Sequence, residues 1–190
     1  MKNLILILLL NVSVICFAPT FDKDHQAEID KYKTYFEIKA KNDFKEAIAY
    51  RESRHNPLIV NSINCIGLYQ FSKAARNAVG APLINSNDIV RDYETGKRYL
   101  KNKEIWPIPD QNKAMDSLMA INSIRLKYEI DSLDGEIIHG VLITKSGLLA
   151  AAHLGGSGSV KKFIRSGYGA KDMNKTSIVD YMKEFGGFDF

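Results

Sequence analysis

Apolar residues recur at helical spacing along most of the chain. Phe44, Ala47, Ile48 and Arg51 fall on one face, Asp43 stands where an N-cap belongs with Glu46 three residues on, and Pro57 marks the stop. Ser72 opens a short second helix that Gly80 ends. Asp110, directly after Pro109, opens the longest periodic stretch, with Met115, Leu118, Met119 and Leu126 on a stripe that also takes Asn122. Ser146 is placed to cap a helix of small residues through Leu149 and Ala152 that breaks at Gly155 and Gly156. Residues 159–164 and 177–185 give two more short helices.

Two stretches depart from this period. In 136–144 the residues Ile137, Ile138, Val141, Leu142 and Ile143 form a β-branched run interrupted by His139 and Gly140, and periodicity leaves a buried strand and a helix entry equally open. In 81–109 breakers such as Pro82, Gly96 and Pro107 surround an amphipathic piece at 88–101, predicted to cover one side of a groove. The pattern predicts a mainly α (α+β) class: a single helical domain with a substrate groove.

The first residues follow another rule. Lys2 precedes an apolar run over 4–10 and 12–17 that ends at the small residue Ala18, the layout of a secretory signal peptide. Asn11 and Ser13 interrupt that run, and it falls short of the roughly 20 residues a spanning helix needs. The chain therefore divides into a signal peptide, 1–18, and one domain, 19–190. It is expected to be secreted across the inner membrane to a periplasmic or extracellular location, with no membrane span kept after cleavage. No repeat, low-complexity tract or Gly/Ser/Pro linker divides the remainder.

Composition narrows the function classes. An apolar share of 45% is ordinary for a globular chain. The formal charge of +4 is too mild to argue for nucleic acid and suits an anionic polymer. Cys16 leaves with the signal, so Cys65 has no partner for an intramolecular disulfide. A thiolate zinc site is excluded on the same ground, and the four histidines lack close metal-ligand spacing. Neither a metal nor a cofactor is expected.

Among the acidic residues Glu52 stands out by position, at the end of the helix that starts at Asp43. The last turn of a helix presents unsatisfied carbonyl oxygens, which disfavour a carboxylate, and apolar neighbours such as Tyr69 and Phe71 would act in the same direction. A carboxyl group that keeps its proton near neutral pH is what general-acid chemistry requires. The plain alternative pairs Glu52 with Arg51, Arg54 or a lysine on a solvated face.

Three ordered blocks accompany it. The first is Ala47-Ile48-Ala49-Tyr50-Arg51-Glu52-Ser53. The second runs from Asn61 and ends in Gly67-Leu68-Tyr69-Gln70-Phe71. The third is Leu149-Ala150-Ala151-Ala152-His153-Leu154-Gly155-Gly156, followed by Val160-Lys161-Lys162-Phe163. In this order they resemble the lysozyme-like superfamily, in its soluble lytic transglycosylase and goose-type lysozyme branch (transglycosylase SLT domain). The blocks match that branch's Glu-Ser at a helix end, its Gly-x-x-Gln turn and its Ala-Tyr-Asn-Ala-Gly segment.

The resemblance implies peptidoglycan glycan strands as substrate and Glu52 as catalytic acid and base. Ser53 would orient the substrate or hold the local turn, and Gln70 would line the sugar groove. A tyrosine near the C-terminus would face the glutamate, with Tyr181 preferred over Tyr168 because a helix holds it. Tyr69 replaces the methionine of many relatives and would stack on a sugar or fill core. Ala152 and His153 replace the usual Tyr-Asn, and His153 would donate to an N-acetyl or ring substituent or serve as a satisfied helix-end histidine.

Glycosidases ordinarily use two carboxylates, and no second one falls inside the matching blocks. That shortage, with the resemblance, implies a lytic transglycosylase that forms 1,6-anhydromuramyl ends. A goose-type muramidase with an activated water is the nearest alternative. A catalytically weak wall-binding scaffold with a protein partner in an envelope assembly is the alternative of another class.

Overall fold

A computed structural model describes residues 43–171 and 175–189, all within one compact unit spanning Tyr35–Phe190. The signal-peptide expectation for 1–18, and the start of the domain at 19, lie outside the described residues. Among the described residues six α-helices carry the fold: α1 (Phe44–Ser53), α2 (Lys73–Ala78), α3 (Ile108–Arg125), α4 (Lys127–Leu133), α5 (Lys145–Ser166) and α6 (Ile178–Glu184). Five short strands among them add β1 (Ile59–Val60), β2 (Ile89–Arg91), β3 (Arg98–Leu100), β4 (Ile137–Ile138) and β5 (Val141–Leu142). The class is mainly α with small antiparallel sheets. No helix among the described residues is long and apolar enough to cross a membrane.

Helix boundaries follow local chemistry. The Asp43 carboxylate accepts from the Lys45 and Glu46 amides, Ser72 accepts from Ala75, and Ser177 and Asp180 form a reciprocal capping box. Two starts differ from the sequence reading. Helix α3 begins at Ile108 rather than Asp110, because Pro109 fits the first turn, where no amide donor is needed. Thr144, not Ser146, caps α5: its hydroxyl accepts from Gly147, while buried Ser146 accepts from the Phe188 amide. The predicted break is a kink within α5 at Gly156 (φ 77°, ψ 155°), a conformation glycine reaches without a Cβ penalty.

The two ambiguous stretches are both hairpins. Strands β4 and β5 pair around His139 and Gly140, each with positive φ, which is the backbone of a tight two-residue turn. The amphipathic piece at 88–101 supplies β2 and β3, which join β1 in an antiparallel sheet of order β1-β3-β2.

Helix α5 is the centre of the core. Leu148, Leu149, Ala150, Ala151, Val160 and Phe163 are buried, and the helix packs on α6 and α3. Two of its glycines set how closely α6 approaches. A Cβ on Gly147 would lie 2.7 Å from the Met182 carbonyl oxygen, and one on Gly155 would lie 2.7 Å from Ile178 Cγ2. Between those contacts α6 carries Tyr181, so the small side chains of α5 decide where its phenol ends.

Candidate active site

Glu52 is the penultimate residue of α1. The chain then takes two successive left-handed residues, Arg54 (φ 54°) and His55 (φ 59°), whose amides return to the Tyr50 and Ala49 carbonyls. The helix end is thus capped by its own backbone, and the chain turns sharply away beyond Glu52.

The carboxyl group meets a phenol, not a cation. Tyr181, 3% exposed, places its hydroxyl 2.5 Å from Glu52 Oε1. His153 Nε2 lies 3.9 Å from the same oxygen. Arg51 instead pairs with Glu184 at 3.2 Å, and Arg54 lies over the Tyr50 ring. The solvated ion-pair alternative is therefore not what the structure contains. Oε2 has no partner among the described residues and is not among the fully enclosed orphan atoms, so it opens to solvent. The whole side chain keeps 15% of its surface exposed. Burial first, then the neighbouring Glu52 charge, push the Tyr181 phenol well above its ordinary range, so it holds its proton.

Tyr181 is thus the C-terminal tyrosine at the glutamate. Tyr168 is 57% exposed and stacks under Lys162 Nζ at 4.1 Å.

The other residues singled out from the sequence converge on the turn 66–71, but as its fasteners. The Ser53 hydroxyl donates to the Leu68 carbonyl at 2.7 Å, tying α1 to the turn. Gln70 (φ 48°) sends Nε2 to the Gly67 carbonyl at 2.9 Å and toward that of Ile59 at 3.2 Å. His153 Nε2 lies 2.9 Å from the Tyr69 carbonyl, so that nitrogen carries the proton and the ring is a donor to backbone. Its Nδ1 is buried without a partner. Ser53 thus holds the local turn, one of the two roles expected for it, and His153 spends its Nε2 proton on backbone, while Gln70 commits Nε2 to two carbonyls from a half-buried side chain. Tyr69 is likewise core. It is 2% exposed, packs edge-on to Phe71, and donates its hydroxyl to Asn112 at 2.8 Å. Of the two roles expected for Tyr69, stacking on a sugar or filling core, the structure contains the second.

Sequence reasoning missed Gln111. It is fully buried on α3, accepts from the Leu68 amide at 2.6 Å, and donates to the carbonyls of Trp106 at 2.7 Å and Pro57 at 3.1 Å. A Cβ at Gly67 (φ 83°) would collide with its Oε1, so only glycine admits this amide beneath the turn. The signal was available: Gln111 precedes Met115 and Leu118 on the apolar stripe, where a polar residue needs backbone partners.

Among the described residues no other carboxylate hydrogen-bonds to Glu52 or Tyr181, and no group of three or more His, Cys, Asp or Glu side chains could hold a metal. Comparison with known proteins finds no matching family model, no matching curated protein and no matching solved structure.

Proposed function

We propose that the chain is a peptidoglycan lytic transglycosylase with Glu52 as its single acid and base. The observation that carries this reading is the Tyr181–Glu52 contact, with Oε2 left open. A phenol both donates and accepts, so it holds one carboxyl oxygen whether or not Glu52 carries a proton. A residue that first gives and then takes a proton needs that constancy of aim.

In the proposed cycle Glu52 gives its proton to the oxygen joining N-acetylmuramic acid to N-acetylglucosamine as that bond breaks. The substrate's own N-acetyl group stabilises the anomeric carbon. The Glu52 carboxylate then takes the proton of the muramyl 6-hydroxyl, whose oxygen closes on the anomeric carbon. The product is a 1,6-anhydromuramyl end, no water is consumed, and Glu52 regains its proton. The work would be done outside the inner membrane, the compartment implied by residues 1–18.

The test is digestion of purified peptidoglycan with mass spectrometry of the released fragments. Anhydromuramyl ends that vanish in Glu52→Gln support the reading. Reducing muramyl ends make the protein a hydrolase. Binding without any cleavage, unchanged in Glu52→Gln, makes it a wall-binding scaffold.

A further inference from the structure

Away from Glu52, a cavity of about 510 Å³ opens between α2, the loop 82–86 and the edge of the three-stranded sheet. That volume is in the range of small-molecule sites. Its lining includes Lys73, Arg76 and Arg98 and not one acidic residue. Arg76 is the unusual member. It is 6% exposed and makes no ion pair among the described residues. Its bonds run from Nη1 alone, to the Phe71 carbonyl at 2.8 Å and the Asn64 carbonyl at 3.2 Å.

An enclosed guanidinium ordinarily has a carboxylate beside it, because an uncompensated buried charge costs several kcal/mol. Burial indeed pulls Arg76 below its ordinary range. Nε and Nη2 donate to nothing among the described residues, yet neither is among the fully enclosed orphan atoms. Both therefore keep some accessible surface, on a side chain that lines the cavity. Arg98 differs: its Nη1 and Nη2 serve the Asn61 carbonyl at 3.1 Å and Asn64 Oδ1 at 2.6 Å, so it adds positive field more than donors.

We propose that this cavity binds the carboxylate end of a short peptide. The planar carboxylate takes the Nε/Nη2 edge of Arg76 in a two-bond pairing, the geometry guanidinium matches best. Lys73, exposed at the rim, adds a second cation. The Asn77 amide and Asn64 Nδ2 offer donors for a peptide carbonyl, and Ile84 gives the ligand's carbon atoms an apolar wall. The peptide lacks a glycosidic bond, so the inference stands or falls apart from the role of Glu52.

The probe is N-acetyl-alanyl-alanine, in its free-acid and C-terminal amide forms, titrated into the isotopically labelled full chain by NMR, with inorganic phosphate as competitor. The acid is expected to bind at least about tenfold tighter than the amide, with shifts clustered at the backbone amides of residues 76–85. Arg76→Lys keeps the charge but loses the planar edge and should cost a further tenfold or so. If that variant does not fold, Lys73→Gln and Asn77→Ala, both on exposed positions, each lower the acid's affinity about threefold. Equal binding of acid and amide, shifts clustered elsewhere, displacement by phosphate at lower concentration than the peptide, or unchanged affinity in both exposed-position variants overturns the proposal.

Discussion

Two polar regions of this molecule handle buried charge in opposite ways. Around Glu52, nearly every polar side chain is used up inside the protein: Ser53, Gln70, His153 and Gln111 hold backbone groups of the 57–71 segment, and Tyr181 holds the carboxyl group. The second carboxyl oxygen of Glu52 stays open. Around Arg76 two guanidinium nitrogens, a lysine and an asparagine amide have no partners among the described residues, in a cavity with no acid on its walls. The first arrangement aims a single group with little freedom, as proton transfer demands. The second leaves charge to be completed from outside, as ligand capture demands. The difference separates residues that serve the fold from those left over for chemistry, a distinction residue type alone does not make.

The sharpest break is at Glu52. Its replacement by Gln preserves shape and should lower turnover on peptidoglycan by about 10²–10⁴-fold, with the thermal transition nearly unmoved. A loss of folding instead would place Glu52 with the fasteners. Next in size is Gln111→Ala, which strips partners from the Leu68 amide and from the Trp106 and Pro57 carbonyls. The cost should be about 3–5 kcal/mol, read as a lower urea midpoint.

The third prediction concerns pH. Tyr69 and Tyr181 are both buried, and burial raises each phenol above its ordinary value of 10.0. Above that pH the unfolded chain releases protons that the folded protein keeps, so fewer protons are bound when unfolded and stability falls as pH rises. The slope should be about 1.4 kcal/mol per pH unit for each phenol, and Tyr181→Phe should halve it. That same variant should lower turnover by roughly tenfold, since only the aim of the acid is loosened. The smallest effect is at the cavity, where Lys73→Gln should change stability by less than about 0.5 kcal/mol. A larger loss would mean that the cations there support the fold and do not await a ligand.

The sequence revealed features whose causes lie within a few residues. Asp43, Ser72 and Ser177 cap their helices because the amides they serve are two or three positions away, and Gly156 kinks α5 because only the local backbone is involved. The stretch 136–144 was ambiguous because a two-residue strand is too short to show a period, and its turn at His139 and Gly140 depends on backbone angles. At the candidate site, the order of blocks led to Glu52 and Tyr181. It left open whether Ser53, Tyr69 and His153 serve substrate or the fold, because a lone carbonyl needing a donor is created only when distant segments meet. Arg76 gave no signal in a six-residue helix: its significance comes from acids that are missing around it in space.

Tyr181 and Glu52 lie 129 residues apart in the chain. A polypeptide made from its N-terminus therefore carries the acid long before it carries the group that steadies it, and the pair forms only once the last helix has closed against Gly147 and Gly155. On the proposed reading, an unfinished or truncated copy would carry its acid without the group that steadies it, and late completion of that one contact would leave such copies slower cutters than finished ones.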